Sequence, residues 1–123
     1  SAAIEQGLIT VAIPASTDLS AKQYYLMKID TNGQLAVCGE GGNPVGVLQD
    51  APAAANRPGR VAVGGITRVL AGGSFNPGDR LSSDSNGKAV AVGSSDDYCI
   101  GIALAAGASG KIAHMLIQKT GTA

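Results

Sequence analysis

Short apolar runs alternate with turn-forming residues along most of this sequence, and that spacing constrains the fold more than any other feature. Asn-Gly within Asp30–Gly33 is a strong signal for a β-hairpin turn, and Asn76–Asp79 supplies another turn between apolar runs. Many short strands joined by Gly-rich turns are typical of a sandwich or a barrel. The chain is therefore predicted to be all-β, a small β-barrel or sandwich of short antiparallel strands.

The expected strands share an apolar or alternating pattern that ends at a turn signal. They are Leu8–Ile13, Tyr25–Ile29, Gln34–Cys38, Val45–Leu48, Arg60–Val63, Ile66–Leu70, Arg80–Ser82, Lys88–Val92, Tyr98–Leu104 and Lys111–Ile117. The one helix candidate is short, at Ala51–Asn56, with Pro52 near its start and Pro58 just beyond its end.

The order of these segments occurs twice along the chain. Asp30-x-Asn32-Gly33 recurs as Asp84-x-Asn86-Gly87, and each copy leads into an alternating strand. The further matches are Val45–Leu48 with Ile100–Ala103, and Gly59–Ala62 with Gly110–Ala113. Two related β units are expected, packed into one pseudo-symmetric barrel, because a solenoid needs about three or more repeats.

The chain length allows one hydrophobic core of ordinary size. With 123 residues, it is too short for two such cores. Residues 23–123 are predicted to form a single barrel or sandwich domain, and residues 1–22 an extended N-terminal arm that carries one strand. The sequence leaves open whether that strand pairs within its own fold or with a neighbouring copy.

The charge and hydropathy patterns exclude several kinds of partner. The formal net charge is zero, so the basic surface that binds nucleic acid or an anionic membrane is missing. No apolar run approaches the roughly 20 residues of a membrane span. Ser1–Gln6 has no signal-peptide pattern, which predicts synthesis in a cytoplasm. Only 15% of the residues are charged, and a surface so poor in charge is often covered by partners.

Reactive groups are few and scattered. His114 has no companion histidine, and it is interpreted as a packed or interfacial residue. Cys38 and Cys99 are interpreted as buried free thiols, with a disulfide as the alternative. The two Asp-x-Asn-Gly segments resemble the start of a calcium loop but lack the distal Glu, so they are interpreted as turns. The sequence therefore predicts no enzyme activity, no metal and no cofactor.

Five segments, in this order, carry a resemblance to a known family. They are Pro44–Ala51, Gly59–Ile66, Pro77–Leu81, Asn86-Gly87 and Ile100–Leu104. Over about residues 25–117, the chain resembles the bacteriophage head-decoration, or capsid cement, proteins.

The resemblance implies a small β domain, commonly assembled as a homotrimer, that binds the outer surface of an icosahedral head and stabilises the expanded shell. Its implied partners are the major capsid protein and itself, and its implied location is the outer capsid surface of the virion. The alternative is a virion-surface carbohydrate- or host-binding module. That role usually requires exposed aromatic side chains, and this chain has three Tyr, one Phe and no Trp.

Two sets of side chains are candidate contacts with the capsid or with a neighbouring copy. The arm's apolar side chains could enter a neighbour's sheet edge, with main-chain hydrogen bonds providing affinity. They are Ile4, Leu8, Ile9, Val11 and Ile13. The second set could pair with capsid carboxylates, although exposed arginines usually contribute little. It consists of Arg57, Arg60 and Arg68.

Overall fold

A computed structural model describes residues 7–123, and within that range the chain forms ten β-strands and no helix. The strands are β1 (Ile9–Pro14), β2 (Leu26–Ile29), β3 (Leu35–Val37), β4 (Gly46–Leu48), β5 (Pro58–Gly64), β6 (Ile66–Leu70), β7 (Arg80–Ser83), β8 (Ala89–Ala91), β9 (Tyr98–Ala103) and β10 (Ile112–Thr122). Each coincides with a predicted strand, so the all-β prediction is confirmed.

The strands form two antiparallel sheets with the same topology. The order is β1-β5-β4-β2-β3 in the first sheet and β6-β10-β9-β7-β8 in the second, so each strand corresponds to the one five places later. The registers agree as well. Val47 lies opposite Ala62 in the first sheet, and Ile102 lies opposite Leu116 in the second. The prediction of two related β units is confirmed; β1–β5 are called the first unit below, and β6–β10 the second.

The sheets do not close into a barrel, and the architecture is sandwich-like. The residues that follow β1 pair with β3 at a single isolated β-bridge, between Ala15 and Leu35. The second unit has the corresponding bridge between Ala71 and Ala89. A closed barrel needs its first and last strands paired along their length, with a consistent stagger. Of the two predicted architectures, the sandwich is therefore confirmed and the barrel is wrong.

The predicted helix at Ala51–Asn56 is wrong, because this segment is an irregular loop. Its backbone groups bond to the chain that follows β1. The Pro52 carbonyl accepts the Leu19 N–H at 2.8 Å, and the Asn56 N–H donates to the Ala15 carbonyl at 2.8 Å. A helix this short is unstable without tertiary support, and here the tertiary hydrogen bonds favour the loop.

The two faces of the first sheet contribute to different cores. One face and the loop after β1 form a cluster of Ala15, Leu19, Met27, Leu35, Leu48 and Val61. The other face contributes Leu26 and Val47 to a cluster that contains the second unit's Val69, Leu81 and Met115. The second cluster therefore joins the two units.

Candidate docking surfaces

The N-terminal strand β1 pairs with β5 of its own sheet, with Ala12 opposite Arg60 and Pro14 opposite Pro58. Of the two alternatives that the sequence left open for this strand, the structure shows pairing within the fold. Pro14 is the last residue of β1, and a proline is tolerated there because β1 is the edge strand of the sheet.

The candidate residues of the arm differ in burial. Ile13 packs against the core of the first unit, and Leu8 is half-buried just before β1. Ile9 and Val11 are exposed on β1. Ile4 lies outside the described residues. Apolar surface on this strand is therefore concentrated at Ile9 and Val11.

The three candidate arginines do not form one cluster. Arg57 and Arg60 lie at or near the start of β5, whereas Arg68 lies in β6 of the other sheet. The Arg60 backbone N–H donates to Asp50 Oδ1 at 3.0 Å, and its guanidinium donates to Thr10 Oγ1 at 3.5 Å. The Arg68 guanidinium donates to the Tyr24 hydroxyl at 3.3 Å. Arg60 and Arg68 are thus held in part by their own chain.

Large exposed apolar side chains occur on both units. Among residues 7–123, six such side chains are between 37% and 60% exposed. The first unit carries Ile9, Val11 and Ile29, and the second carries Leu104, Ile112 and Leu116. Scattered exposed apolar residues are ordinary, but a contiguous group indicates an interaction surface.

The exposed residues of the second unit belong to one sheet face. Leu116 on β10 lies opposite both Ile66 on β6 and Ile102 on β9. Ile112 lies opposite Leu70, and the Leu104 N–H donates to the His114 carbonyl at 2.9 Å. Directly opposite residues share a face of the sheet. The resulting outer face carries the apolar residues Ile66, Leu70, Ile102, Leu104, Ile112 and Leu116, with the opposed pair His114 and Arg68 between them.

The sequence reasoning missed this outer face. The available signal was the stretch Ile112–Ile117, in which apolar residues occupy both odd and even positions. Alternate side chains point to opposite faces of a strand. Ala113 and Met115 fill the core side, so Ile112 and Leu116 are left on the outside.

A shallow depression of about 330 Å³ adjoins this face and is lined by Asp79, Arg80, Ala91 and Val92. Arg80 lies opposite Ile102, so the depression continues the outer face toward β7 and β8. The Asp79 carboxylate accepts the Asn76 N–H at 2.9 Å. The lining of the depression provides one turn-bound carboxylate, one guanidinium and two apolar side chains. This set is suited to contact with another protein rather than to acid–base catalysis.

The carboxylates of the two Asp-x-Asn-Gly segments accept hydrogen bonds within their turns. Asp30 Oδ1 accepts the N–H groups of Asn32 and Gln34, each at 2.9 Å. Asp84 Oδ1 accepts those of Asn86 and Lys88 at 2.8 and 2.9 Å. Within the described range, no group of three or more His, Cys, Asp or Glu side chains is placed to hold a metal ion.

Cys38 and Cys99 are both buried and free, as predicted. Burial raises the pKa of the Cys38 thiol, because the charged thiolate is poorly solvated there. The Cys38 thiol is therefore in its neutral, less reactive form. No helix that could cross a membrane is found in the described part of the chain.

These features define a class of protein. An all-β domain with turn-bound carboxylates and with several exposed apolar side chains on one sheet face is suited to packing against other proteins. The model of the phage cement protein family matches residues 4–117. The chain belongs to the phage cement protein family, whose role is structural and associated with the phage capsid, as the resemblance indicated.

One solved structure supports the fold assignment. The chain is similar to the N base of head fiber gp8.5 in bacteriophage phi29, with a TM-score of 0.70 and 17% sequence identity. The match covers 90% of this chain and 94% of the other. None of the curated proteins compared with this chain matches it. At this identity, the likeness establishes a shared fold.

Proposed function

We propose that this protein is a head decoration protein that binds the outer surface of an icosahedral phage capsid as a homotrimer and stabilises the expanded shell. Its partners are the major capsid protein and further copies of itself, and it is located on the outside of the virion. The observation that carries the proposal is the family match over residues 4–117. The likeness to a head fiber base and the exposed apolar surfaces support it.

The surface chemistry suits a protein that binds through many weak contacts. With 15% charged residues, the chain can approach a partner while desolvating few charges. Full burial of a large apolar side chain stabilises by about 1.5–3 kcal/mol, so completing the burial of a half-exposed one contributes about 1 kcal/mol. One copy is therefore a weak binder. A trimer that touches several capsid subunits gains affinity through effective concentration.

The proposed role is non-enzymatic and requires no cofactor. The carboxylates nearest to an acid–base pair in sequence, Asp96 and Asp97, belong to a turn before β9. Asp97 Oδ2 accepts the N–H groups of Gly93 and Ser94 at 3.2 and 3.1 Å. General acid–base catalysis needs a group aimed at substrate, whereas this carboxylate is engaged by its own backbone.

The proposed capsid-facing region comprises Arg57 and Arg60, together with Ile4 and Leu8 of the N-terminal arm (residues 1–22). Arg57 and Arg60 are exposed on either side of the exposed Pro58. Their guanidinium groups can bind carboxylates on a capsid subunit. Charges at an interface rim mainly affect the association rate and its salt dependence, and contribute less to affinity.

A carbohydrate- or host-binding module has less support. Sugar-binding sites commonly use exposed aromatic rings as stacking platforms. The three tyrosines, Tyr24, Tyr25 and Tyr98, are half-buried, and Phe75 is buried in the core. The described chain thus offers no fully exposed aromatic ring.

The test uses phage heads that lack this protein, expanded or unexpanded, mixed with the purified full chain. We expect co-sedimentation with expanded heads, cryo-electron microscopy density on the outer shell, and a higher temperature of head disruption. Arg60→Glu should weaken binding several-fold, while the charge reversal Lys119→Glu, on the exposed end of β10, should not. Failure to bind expanded heads, or density inside the shell, would contradict the proposal.

A further inference from the structure

The two units of one chain pack through a defined set of contacts. The first unit supplies Gln49, whose Nε2 donates to Thr67 Oγ1 at 2.8 Å. It also supplies the Leu26 N–H, which donates to the Gly87 carbonyl at 2.7 Å. Ser83 Oγ lies 3.5 Å from the Cys38 carbonyl oxygen, and its shorter hydrogen bond, of 2.9 Å, is to the Asp84 carbonyl of its own unit. The first unit thus presents one face to the second, which receives it at β6 and at the β7–β8 hairpin.

The repeated topology gives each receiving residue an equivalent in the first unit. Thr67 lies opposite Met115 as Val11 lies opposite Val61, so Val11 is the equivalent of Thr67. Ser83 lies opposite Ala89 just as Ile29 lies opposite Leu35. The receiving residues Thr67, Ser83 and Gly87 thus correspond to Val11, Ile29 and Gly33.

The presenting residues have equivalents in the second unit. The Gln49 N–H donates to the Arg60 carbonyl, as the Leu104 N–H donates to the His114 carbonyl. Val47, which packs in the core cluster that joins the two units, lies opposite Ala62, as Ile102 lies opposite Leu116. The presenting residues Leu26, Cys38, Gln49 and Ala62 thus correspond to Arg80, Val92, Leu104 and Leu116.

The polarity of these equivalent positions is the reverse of what solvent exposure alone would favour. Thr67 and Ser83 are buried between the units and are polar. Their equivalents Val11 and Ile29 are exposed and apolar. The contact partner Gln49 is likewise replaced by the exposed Leu104. Apolar residues are favoured where water is excluded, so a partner that covers these positions accounts for the pattern.

A turn and a depression show the same correspondence. Gly87 is buried against the first unit, and a Cβ added there would contact Val37 and the Leu26 carbonyl. Its equivalent, Gly33, is exposed, with nothing within 4 Å of an added Cβ. The residues equivalent to Leu26, Val37 and Cys38 are Arg80, Ala91 and Val92, and these three line the open depression.

We propose that copies of this chain associate head to tail, the second unit of one copy packing on the first unit of the next as the two units pack within a chain. Leu104 of the outer face then covers Val11, and Val92 of the depression covers Ile29. The depression also receives the Asp30–Gly33 turn. Between copies, the Arg80 N–H would then donate to the Gly33 carbonyl. The side-chain bonds of Thr67 and Ser83 are not repeated, because their equivalents Val11 and Ile29 are apolar. The backbone bond from the Leu70 N–H to the Tyr24 carbonyl is not repeated either, because the equivalent Pro14 has no N–H.

This inference rests on the proposed function, because it supplies the interface of the proposed trimer. A head-to-tail interface uses two different surfaces of each copy, and it closes into a ring when the rotation between copies permits. The three copies of the proposed trimer would contain three such interfaces. In every copy, Leu104 and Leu116 would be covered by one neighbour, and Val11 and Ile29 by the other.

The test is a complementation experiment with two double variants of the full chain. Leu104→Glu/Leu116→Glu disrupts the presenting surface, and Val11→Glu/Ile29→Glu disrupts the receiving surface. Wild type should run at three times the chain mass of 12.1 kDa in light scattering coupled to size exclusion. Each variant alone should be monomeric, with association weakened about 100-fold or more, because carboxylates would be buried against apolar groups.

An equal mixture of the two variants gives the decisive result. Each retains one intact surface of a different kind, so the mixture should form a dimer that holds one copy of each. This rescue also shows that both variants are folded. The matched control is Ile112→Glu, on the same strand as Leu116. The equivalent of Ile112 is Pro58, which is exposed rather than packed between the units, so this variant should remain trimeric.

Several outcomes would overturn the inference. They are a monomeric wild type, trimers formed by either double variant, or a mixture that stays monomeric. Loss of head binding by a Leu104→Glu/Leu116→Glu protein that remains trimeric would assign the outer face to the capsid instead. A trimer that is disrupted and rescued as described, but whose wild type never binds heads, would leave the interface in place and refute the proposed function.

Discussion

Replacing Gly46 by Ala tests a close approach between neighbouring strands that occurs at the same position in both units. A Cβ added at Gly46 would overlap the Ala62 carbonyl oxygen and lie 2.8 Å from Val61 Cγ1. Ala62 is on β5, which lies between β1 and β4 and is therefore held on both sides. This oxygen cannot move without disturbing two strand pairs, so we expect the added methyl group to strain the backbone around it.

The expected cost follows from that geometry. Forcing an extra methyl group into a well-packed site destabilises by about 1–3 kcal/mol. For a domain of this size, each kcal/mol lowers Tm by on the order of 4 °C, which predicts a decrease of about 4–12 °C. The matched control is Gly39→Ala, where an added Cβ meets nothing within 4 Å. The control should be neutral or stabilised by up to about 1 kcal/mol.

The assay is urea unfolding followed by circular dichroism, at one fixed protein concentration because any oligomer would couple association to stability. Gly101 occupies the equivalent position and would place its Cβ against the Leu116 carbonyl, with Met115 Cγ at 2.7 Å. Gly101→Ala should therefore have a similar cost. A Gly46→Ala protein within about 0.5 kcal/mol of wild type would refute the reasoning, since surface substitutions without any clash fall in that range.

Three further predictions concern other parts of the fold. Cys38 should react with a thiol reagent near pH 8 only as fast as the protein opens, and urea should accelerate the reaction; fast labelling of the native protein would contradict its burial. Because the folded-state pKa of this thiol is raised, its contribution to stability is present below the ordinary thiol pKa and is lost as pH rises through the folded pKa; Cys38→Ala should flatten the alkaline fall in the free energy of unfolding. Asp84→Ala leaves the Asn86 and Lys88 N–H groups without their acceptor and should cost about 1–2 kcal/mol in urea unfolding, an effect that Asp84→Asn should partly restore. Deleting residues 1–13 removes most of β1 and uncovers β5, so the shortened chain should unfold at lower temperature and aggregate; a fully stable product would mean that β1 adds little to the first unit.

Much of the fold could be predicted from the sequence because the local preferences for turns and strands agree with the tertiary structure. The Asp-x-Asn-Gly segments specify turns by themselves, since Gly33 and Gly87 both take a positive φ, of 74° and 77°. The apolar runs between turns specify strands. The pair of matching segments Asp30–Gly33 and Asp84–Gly87 also reveals the repeat in the sequence alone.

The prediction of a closed barrel and of a helix at Ala51–Asn56 failed for a common reason. Both depend on which backbone groups meet across the fold, and that information is not local. The Asn56 N–H bonds to the Ala15 carbonyl, a partner that is far away in sequence. Propensity and spacing do not specify such partners.

The sequence by itself determined the strands, the turns, the twofold repeat and the family resemblance, because each is encoded by neighbouring residues or by their order. Only the tertiary structure decided which faces are covered. Thr67 and Val11 occupy equivalent positions, yet one is buried between units and the other is exposed. That difference arises because a chain with two units has only one junction between units. One surface of each unit therefore has no partner within the chain, and only the packing of the units shows which surfaces these are.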